Sequence, residues 1–192
     1  FRGRLMFPIH DVQGAVIGFG GRALSAEHEP KYMNSPETAA FVKGKQLFGL
    51  PFAKQAIASA GHALLVEGYM DCVILHQHGV AQAVAPLGVA LTDDHARPLK
   101  RYTKDVILLF DADNAGTLAT LRSLDILIAE GLSVRIACLE EQADPDEFVL
   151  AHGAAALTER LAAAQSLFDY KLAALRRRHP RPVVEARVAL CP

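Results

Sequence analysis

The sequence has no tryptophan, and its three cysteines, Cys72, Cys138 and Cys191, are odd in number and never spaced as CxxC. That argues against a disulfide framework or a cysteine-based zinc site and makes a reducing cytoplasm the expected compartment. No run approaches the roughly 20 apolar residues that span a bilayer, so no membrane partner is expected. Glycine shows no period, which excludes collagen. No basic-then-apolar leader opens the chain, which starts at Phe1 rather than Met and reads as a piece of a longer protein. What is present suits a globular fold: 192 residues, 51% apolar and 21% charged, enough for one ordinary domain or two small ones.

The net charge of −1 alone argues against a nucleic-acid binder, but it is unevenly divided. Residues 1–60 hold seven Lys/Arg against four Asp/Glu, residues 61–150 six against fourteen, and residues 151–192 seven against three. An acidic middle between basic ends suits a protein that meets phosphates with cations on one side and with metal ions on the other. Uneven surface charge without function is the plainer alternative.

Two apolar segments, residues 4–9 and 15–19, flank Asp11-Val-Gln-Gly14 and predict a hairpin, with Gly14 supplying the positive-φ position. Ser35, followed by Pro36 and Glu37, predicts a helix N-cap. From residue 62 the pattern becomes βα repeating. Strands are expected over residues 63–66, 82–85, 106–110 and 133–139, and helices over Tyr69–Gln77, from Thr92, over residues 115–130 and from Asp144-Pro145. Pro98 should kink or stop the second helix, and Gly131 should close the third. Four strands separated by helices predict a parallel sheet. Residues from Ala154 onward read as helical and end in Arg176-Arg-Arg-His-Pro180.

Acids cluster where strands end. Glu67 follows the first strand and Asp71 the next helical turn; Asp111 and Asp113 follow the third strand, and Asp144 and Asp146 the fourth. In a sheet of order 2-1-3-4 the crevice lies between strands one and three, at the carboxyl edge, and Glu67, Asp111 and Asp113 would share it. Crowded carboxylates repel, and a divalent ion with hard oxygen ligands, Mg²⁺ or Mn²⁺, removes the conflict. Helix chemistry offers an alternative for some of them. Asp144-Pro-Asp-Glu147 is also a capping pattern, and Asp71 could simply compensate a helix dipole. A receiver-type phosphoacceptor site is disfavoured, because the fourth strand runs into Glu140-Glu141 where that site needs a lysine. His76 and His78 lie two apart on a helix and are expected to be ordinary packing or surface residues.

Glu67-Gly-Tyr-Met-Asp71 and Phe110-Asp-Ala-Asp-Asn-Ala-Gly116 resemble the TOPRIM fold of primases, topoisomerases and some nucleases. Arg4-Leu-Met-Phe-Pro-Ile9, Gly18-Phe-Gly-Gly-Arg22, Pro30-Lys-Tyr-Met-Asn-Ser-Pro-Glu-Thr38 and Lys43-Gly-Lys-Gln-Leu-Phe-Gly-Leu50 narrow the resemblance to the RNA-polymerase core of bacterial DNA primases, over roughly residues 1–152. It departs from the family pattern at Ala112, where glycine is usual, at Thr117 and Leu118, where a basic residue is common, and at Pro86 and Val89, where threonines are expected.

The resemblance implies an α/β fold in which a TOPRIM-type four-stranded parallel sheet with flanking helices (residues 61–152) follows a small mixed α+β basic segment (1–60). A helical segment (153–192) comes after it. The resemblance also implies that Glu67, Asp111 and Asp113 are catalytic and hold metal, with Asp71, Asp144 and Asp146 completing the acidic set. Arg22, Lys31, Tyr32, Asn34 and Lys43 match a basic ridge that contacts nucleotide or template; their chemistry agrees, since cations attract phosphate and Tyr32 offers a stacking face. The implied activity is DNA-templated synthesis of short RNA primers from ribonucleoside triphosphates. Single-stranded DNA template, RNA primer and Mg²⁺ or Mn²⁺ are the implied partners and cofactors. Zinc is expected only in an N-terminal module, and a replicative helicase only through a C-terminal module; neither module lies in this sequence. Cleavage as in topoisomerases or nucleases, or nucleic-acid binding without catalysis, are the competing readings.

Overall fold

The computed structural model describes residues 1–110, 118–139, 143–170 and 172. The expected hairpin forms from β1 (Arg4–His10) and β2 (Val16–Ala23). Its turn is held by Asp11, whose Oδ1 accepts from the backbone N–H of Gln13 and of Ala15, both at 2.9 Å. Gly14 takes φ 97° there, a value that L side chains rarely adopt. A short third strand, β3 (Tyr32–Asn34), adds antiparallel to β2.

No helix starts at Ser35. Its hydroxyl accepts from the Phe19 N–H at 3.0 Å, and its own N–H donates to the Phe19 carbonyl at 2.8 Å. The oxygen expected to cap a helix is therefore used to prolong the strand pairing. After a 3-10 turn at Lys43–Lys45, the first α-helix is α1 (Leu50–Ala60).

The second sheet contains β4 (His62–Leu65), β5 (Ala83–Val84), β6 (Asp105–Phe110) and β7 (Ser133–Cys138), all parallel as expected. A two-residue strand, β8 (Gln165–Ser166), pairs antiparallel with β7, so the sheet has five strands in the order β5-β4-β6-β7-β8. This edge strand corrects the expectation of four strands followed only by helix. The helices between the strands are α2 (Tyr69–Gln77), α3 (Asp93–Leu99), α4 (Leu118–Ala129) and α5 (Pro145–Ala162). Helix α3 stops one residue after Pro98, and α5 leaves helical geometry at Gly153. Arg176 and the residues around it lie outside the described residues.

Strand alternation explains the layers. Ala63, Leu65, Val106, Leu108, Val134 and Ile136 point to one face, where Ile57 of α1, Leu99 of α3 and Leu124 and Leu127 of α4 cover them. Leu64, Ile107, Leu109 and Ala137 point to the other, under Cys72 and Leu75 of α2 and Phe148 and Leu157 of α5. Full burial of a leucine-sized side chain contributes about 1.5–3 kcal/mol, which is why the β6 run carries no polar residue between its ends. A smaller cluster, Phe7, Ile9, Phe41, Tyr69 and Leu87, joins the antiparallel sheet to the start of α2. His76 of α2 and His78 at its C-cap are both spent on backbone carbonyls, His76 at Ala83 and His78 at Ile74, each at 2.8 Å. Among the described residues, no helix is long and apolar enough to cross a membrane.

Candidate active site

Chain reversal places β4 between β5 and β6, so the sheet's order switches beside β4 and the carboxyl ends of its parallel strands open on a crevice. Glu67 lies two residues beyond the end of β4, after the buried Val66. Gly68 then takes an extended conformation and α2 begins, which brings Asp71 to the third helical position, where its Oδ2 accepts from the Gly68 N–H at 3.0 Å. Glycine has no side chain to return the bond, so the cap is one-sided. Asp144 stands at the N-cap of α5, yet its carboxylate makes no capping bond, and Asp146 binds the Glu147 N–H at 2.8 Å. The capping pattern therefore leaves Asp144 unexplained.

Burial first, and then the negative charges of Asp146 and Asp144, push the Asp71 carboxyl up to about 7, although the N–H groups of Gly68 and Asp146 pull the other way. A carboxyl held this high by burial and by neighbouring acids is a group whose charge a cation would favour.

The opposite wall is basic. Arg22 on β2 faces Tyr32 on β3 in register. The guanidinium carbon of Arg22 lies 5.7 Å, and the Lys31 ammonium 5.8 Å, from the centre of the Tyr32 ring. At those distances the ring face attracts both cations. Burial raises the Tyr32 phenol's pKa, with Arg22 opposing and Asp71, Asp146 and Asp144 adding to the rise. Beneath it Tyr69, the buried first residue of α2, packs edge-on with ring centres 5.4 Å apart. The Tyr69 hydroxyl donates to Asn34 Oδ1 at 3.2 Å, and Asn34 Nδ2 donates to the Leu87 carbonyl at 3.0 Å. The antiparallel sheet, α2 and the segment after β5 are thus tied together beneath the cations.

Arg22, Lys31, Tyr32, Asn34, Lys43, Glu67, Asp71, Asp144 and Asp146 all line one cleft of about 630 Å³. Asp111 and Asp113, with Ala112 and Thr117, lie outside the described residues. Pro86 is in the cleft lining and Val89 is exposed nearby in sequence. Among the described residues, no three His, Cys, Asp or Glu side chains come close enough to hold a metal by themselves. The donor chemistry nevertheless fits a divalent cation, because the acids are hard oxygen ligands and Asp71 is penalised without a compensating charge. Sequence reasoning missed Tyr69 and Gly20. A Cβ at Gly20 would come within 3.2 Å of Asn34 Oδ1 and 3.3 Å of the Tyr69 ring, so the bare backbone makes room for this pair. The aromatic at the head of α2, inside the acidic motif, was the available signal.

The fold and the cleft define a TOPRIM-type domain joined to a basic antiparallel sheet. Residues 1–54 match the family "DNA primase catalytic core, N-terminal domain", and residues 64–149 match the family "Toprim-like". The chain is 49% identical over 173 residues to a DNA primase of Clostridium acetobutylicum, covering 90% of this chain and 28% of that protein. It superposes on a DNA primase domain from Pseudomonas aeruginosa with a TM-score of 0.87 at 40% identity, covering 99% of this chain and 60% of that one. A DnaG primase catalytic domain bound to single-stranded DNA gives a TM-score of 0.84 at 42% identity, with 99% and 62% covered. The chain belongs to the bacterial DNA primase family. It spans about three tenths of the length of the curated relatives it matches.

Proposed function

We propose that this chain forms part of the catalytic centre of an enzyme that copies single-stranded DNA into short RNA primers from ribonucleoside triphosphates. The observation that carries this reading is the single cleft with acids on one wall and cations on the other. Glu67, Asp71, Asp144 and Asp146, with Asp111 and Asp113, would hold Mg²⁺ or Mn²⁺. Such ions, when bound, lower the pKa of the attacking 3′-hydroxyl and offset charge on the triphosphate as pyrophosphate leaves.

The chain's own residues orient the reactants. Arg22, Lys31 and Lys43 attract phosphate, Tyr32 offers an aromatic face to a base, and Asn34, fixed by Tyr69 and Leu87, presents a rigid polar edge. The division into a basic segment 1–60, a TOPRIM domain 61–152 and a further segment from 153 belongs to the same proposal, as do a cytoplasmic location and contact with a replicative helicase through another part of the longer protein.

The test supplies the full-length protein with single-stranded template, ribonucleoside triphosphates and Mg²⁺. Oligoribonucleotides should appear and should vanish with Glu67→Gln. Binding of template should weaken steeply with salt, and Lys31→Ala should flatten the log–log slope by about 0.7. Cut DNA, or DNA bound with no RNA made, would overturn the proposal.

A further inference from the structure

Lys43 lines the cleft from a short 3-10 turn whose flanks are extended, a local structure with little stability of its own. Its backbone is nevertheless anchored on both sides by side chains from outside the turn, one six residues away and the other 52. The Lys43 N–H donates to Glu37 Oε1 at 2.9 Å. Its carbonyl lies 2.9 Å from Nε2 of His95, a fully buried residue of α3.

The ring's other nitrogen, Nδ1, accepts from the Thr92 N–H at 3.1 Å, so Nε2 carries the proton and donates to Lys43. Burial lowers the pKa of His95, which favours the neutral ring that this tautomer requires. The next two residues are held by the same helix end. Thr92 Oγ1 donates to the Gly44 carbonyl at 2.5 Å, and Lys45 Nζ lies 4.0 Å from Asp94. None of these groups is in the cleft lining, yet together they decide where Lys43 starts.

We propose that His95 and Glu37 are positioning residues for Lys43: by holding its carbonyl and its N–H they fix the turn from which its ammonium reaches the cleft. The inference rests on the reading that Lys43 meets substrate phosphate. It explains why Thr92-x-x-His95, with the spacing of a capping box, has a histidine where a Glu is common. A carboxylate there could accept from Thr92 but could not donate to the Lys43 carbonyl.

The experiment measures binding of labelled single-stranded DNA to the full-length protein by anisotropy over a series of salt concentrations. Lys43→Ala should weaken binding several-fold and flatten the log–log slope by about 0.7. His95→Ala and Glu37→Ala should flatten it similarly, although neither removes a cation. Combining His95→Ala with Lys43→Ala should add nothing further. His95→Gln, whose amide can donate near the Nε2 position, should restore most of the binding. Glu37 is exposed, so Glu37→Ala keeps the test decisive if His95→Ala fails to fold. Wild-type slopes in His95→Ala and Glu37→Ala, or losses that multiply with that of Lys43→Ala, overturn the proposal. An unchanged slope in Lys43→Ala itself instead overturns the assignment of Lys43 to the phosphate path, a distinguishable failure.

Discussion

Replacing Asp71 by asparagine should stabilise the metal-free protein. The carboxyl titrates at about 7 in the folded chain against 3.8 when free. The folded state therefore binds the proton more tightly than the unfolded state does. Relative stability is full below pH 3.8, is lost as the pH rises, and levels off once 7 is passed. The gap corresponds to about 4 kcal/mol at most, and to roughly half of that once partial solvent access is allowed for. In a chain of 192 residues, about 2 kcal/mol moves the melting temperature by roughly 4–8 °C. Asparagine keeps an oxygen for the Gly68 N–H and drops the charge that Asp144 and Asp146 oppose. Thermal unfolding in EDTA at pH 8 should show Asp71→Asn melting higher, and the advantage should shrink steadily toward pH 4. Saturating Mg²⁺ should reverse the order, because the ion compensates only the charged side chain. A variant that melts lower than wild type in EDTA at pH 8, or a difference that ignores pH, would refute the electrostatic reasoning.

Two further outcomes follow from the same geometry. At pH 6.5 most Asp71 side chains are protonated, so Mg²⁺ binding should release about 0.8 of a proton. Calorimetry in buffers of different ionisation enthalpy reads this directly, and release that does not fall between pH 6.5 and 8 would contradict it. Gly20→Ala should press a methyl onto Asn34 and Tyr69, costing about 1–3 kcal/mol in urea unfolding and raising KM for nucleotide. A wild-type KM would separate the Asn34–Tyr69 pair from substrate binding.

The parallel sheet was legible because buried strands are continuous apolar runs and their carboxyl ends are marked by acids, as in Val106–Leu109 before Asp111. Elements that owe their existence to a partner strand were not. Strand β3 is three residues long and exists through pairing with β2, and β8 is two residues long at the edge of β7. Periodicity has nothing to count over such lengths. Ser35 shows the same limit: a short polar side chain followed by proline suits a helix cap and a strand end equally, and the Phe19 backbone decides between them.

The site divides along the same line. Glu67, Asp71, Asp144 and Asp146 could be found individually, because a charge at the end of an apolar strand or in a first helical turn is costly or purposeful at its own position. The supports could not. Tyr69 reads as a core aromatic until Asn34, 35 residues away, accepts its hydroxyl. His95 reads as a helix residue until the Lys43 carbonyl, 52 residues away, accepts its Nε2–H. Both supports are almost wholly buried, whereas Asn34 and Lys43, which they hold, line the cleft. Most of the groups that would meet substrate are thus ionic and readable one at a time. Tyr69 and His95, which hold two of them still, are neutral, and they become readable only once the antiparallel sheet has packed on α2 and the Lys43–Lys45 turn on α3.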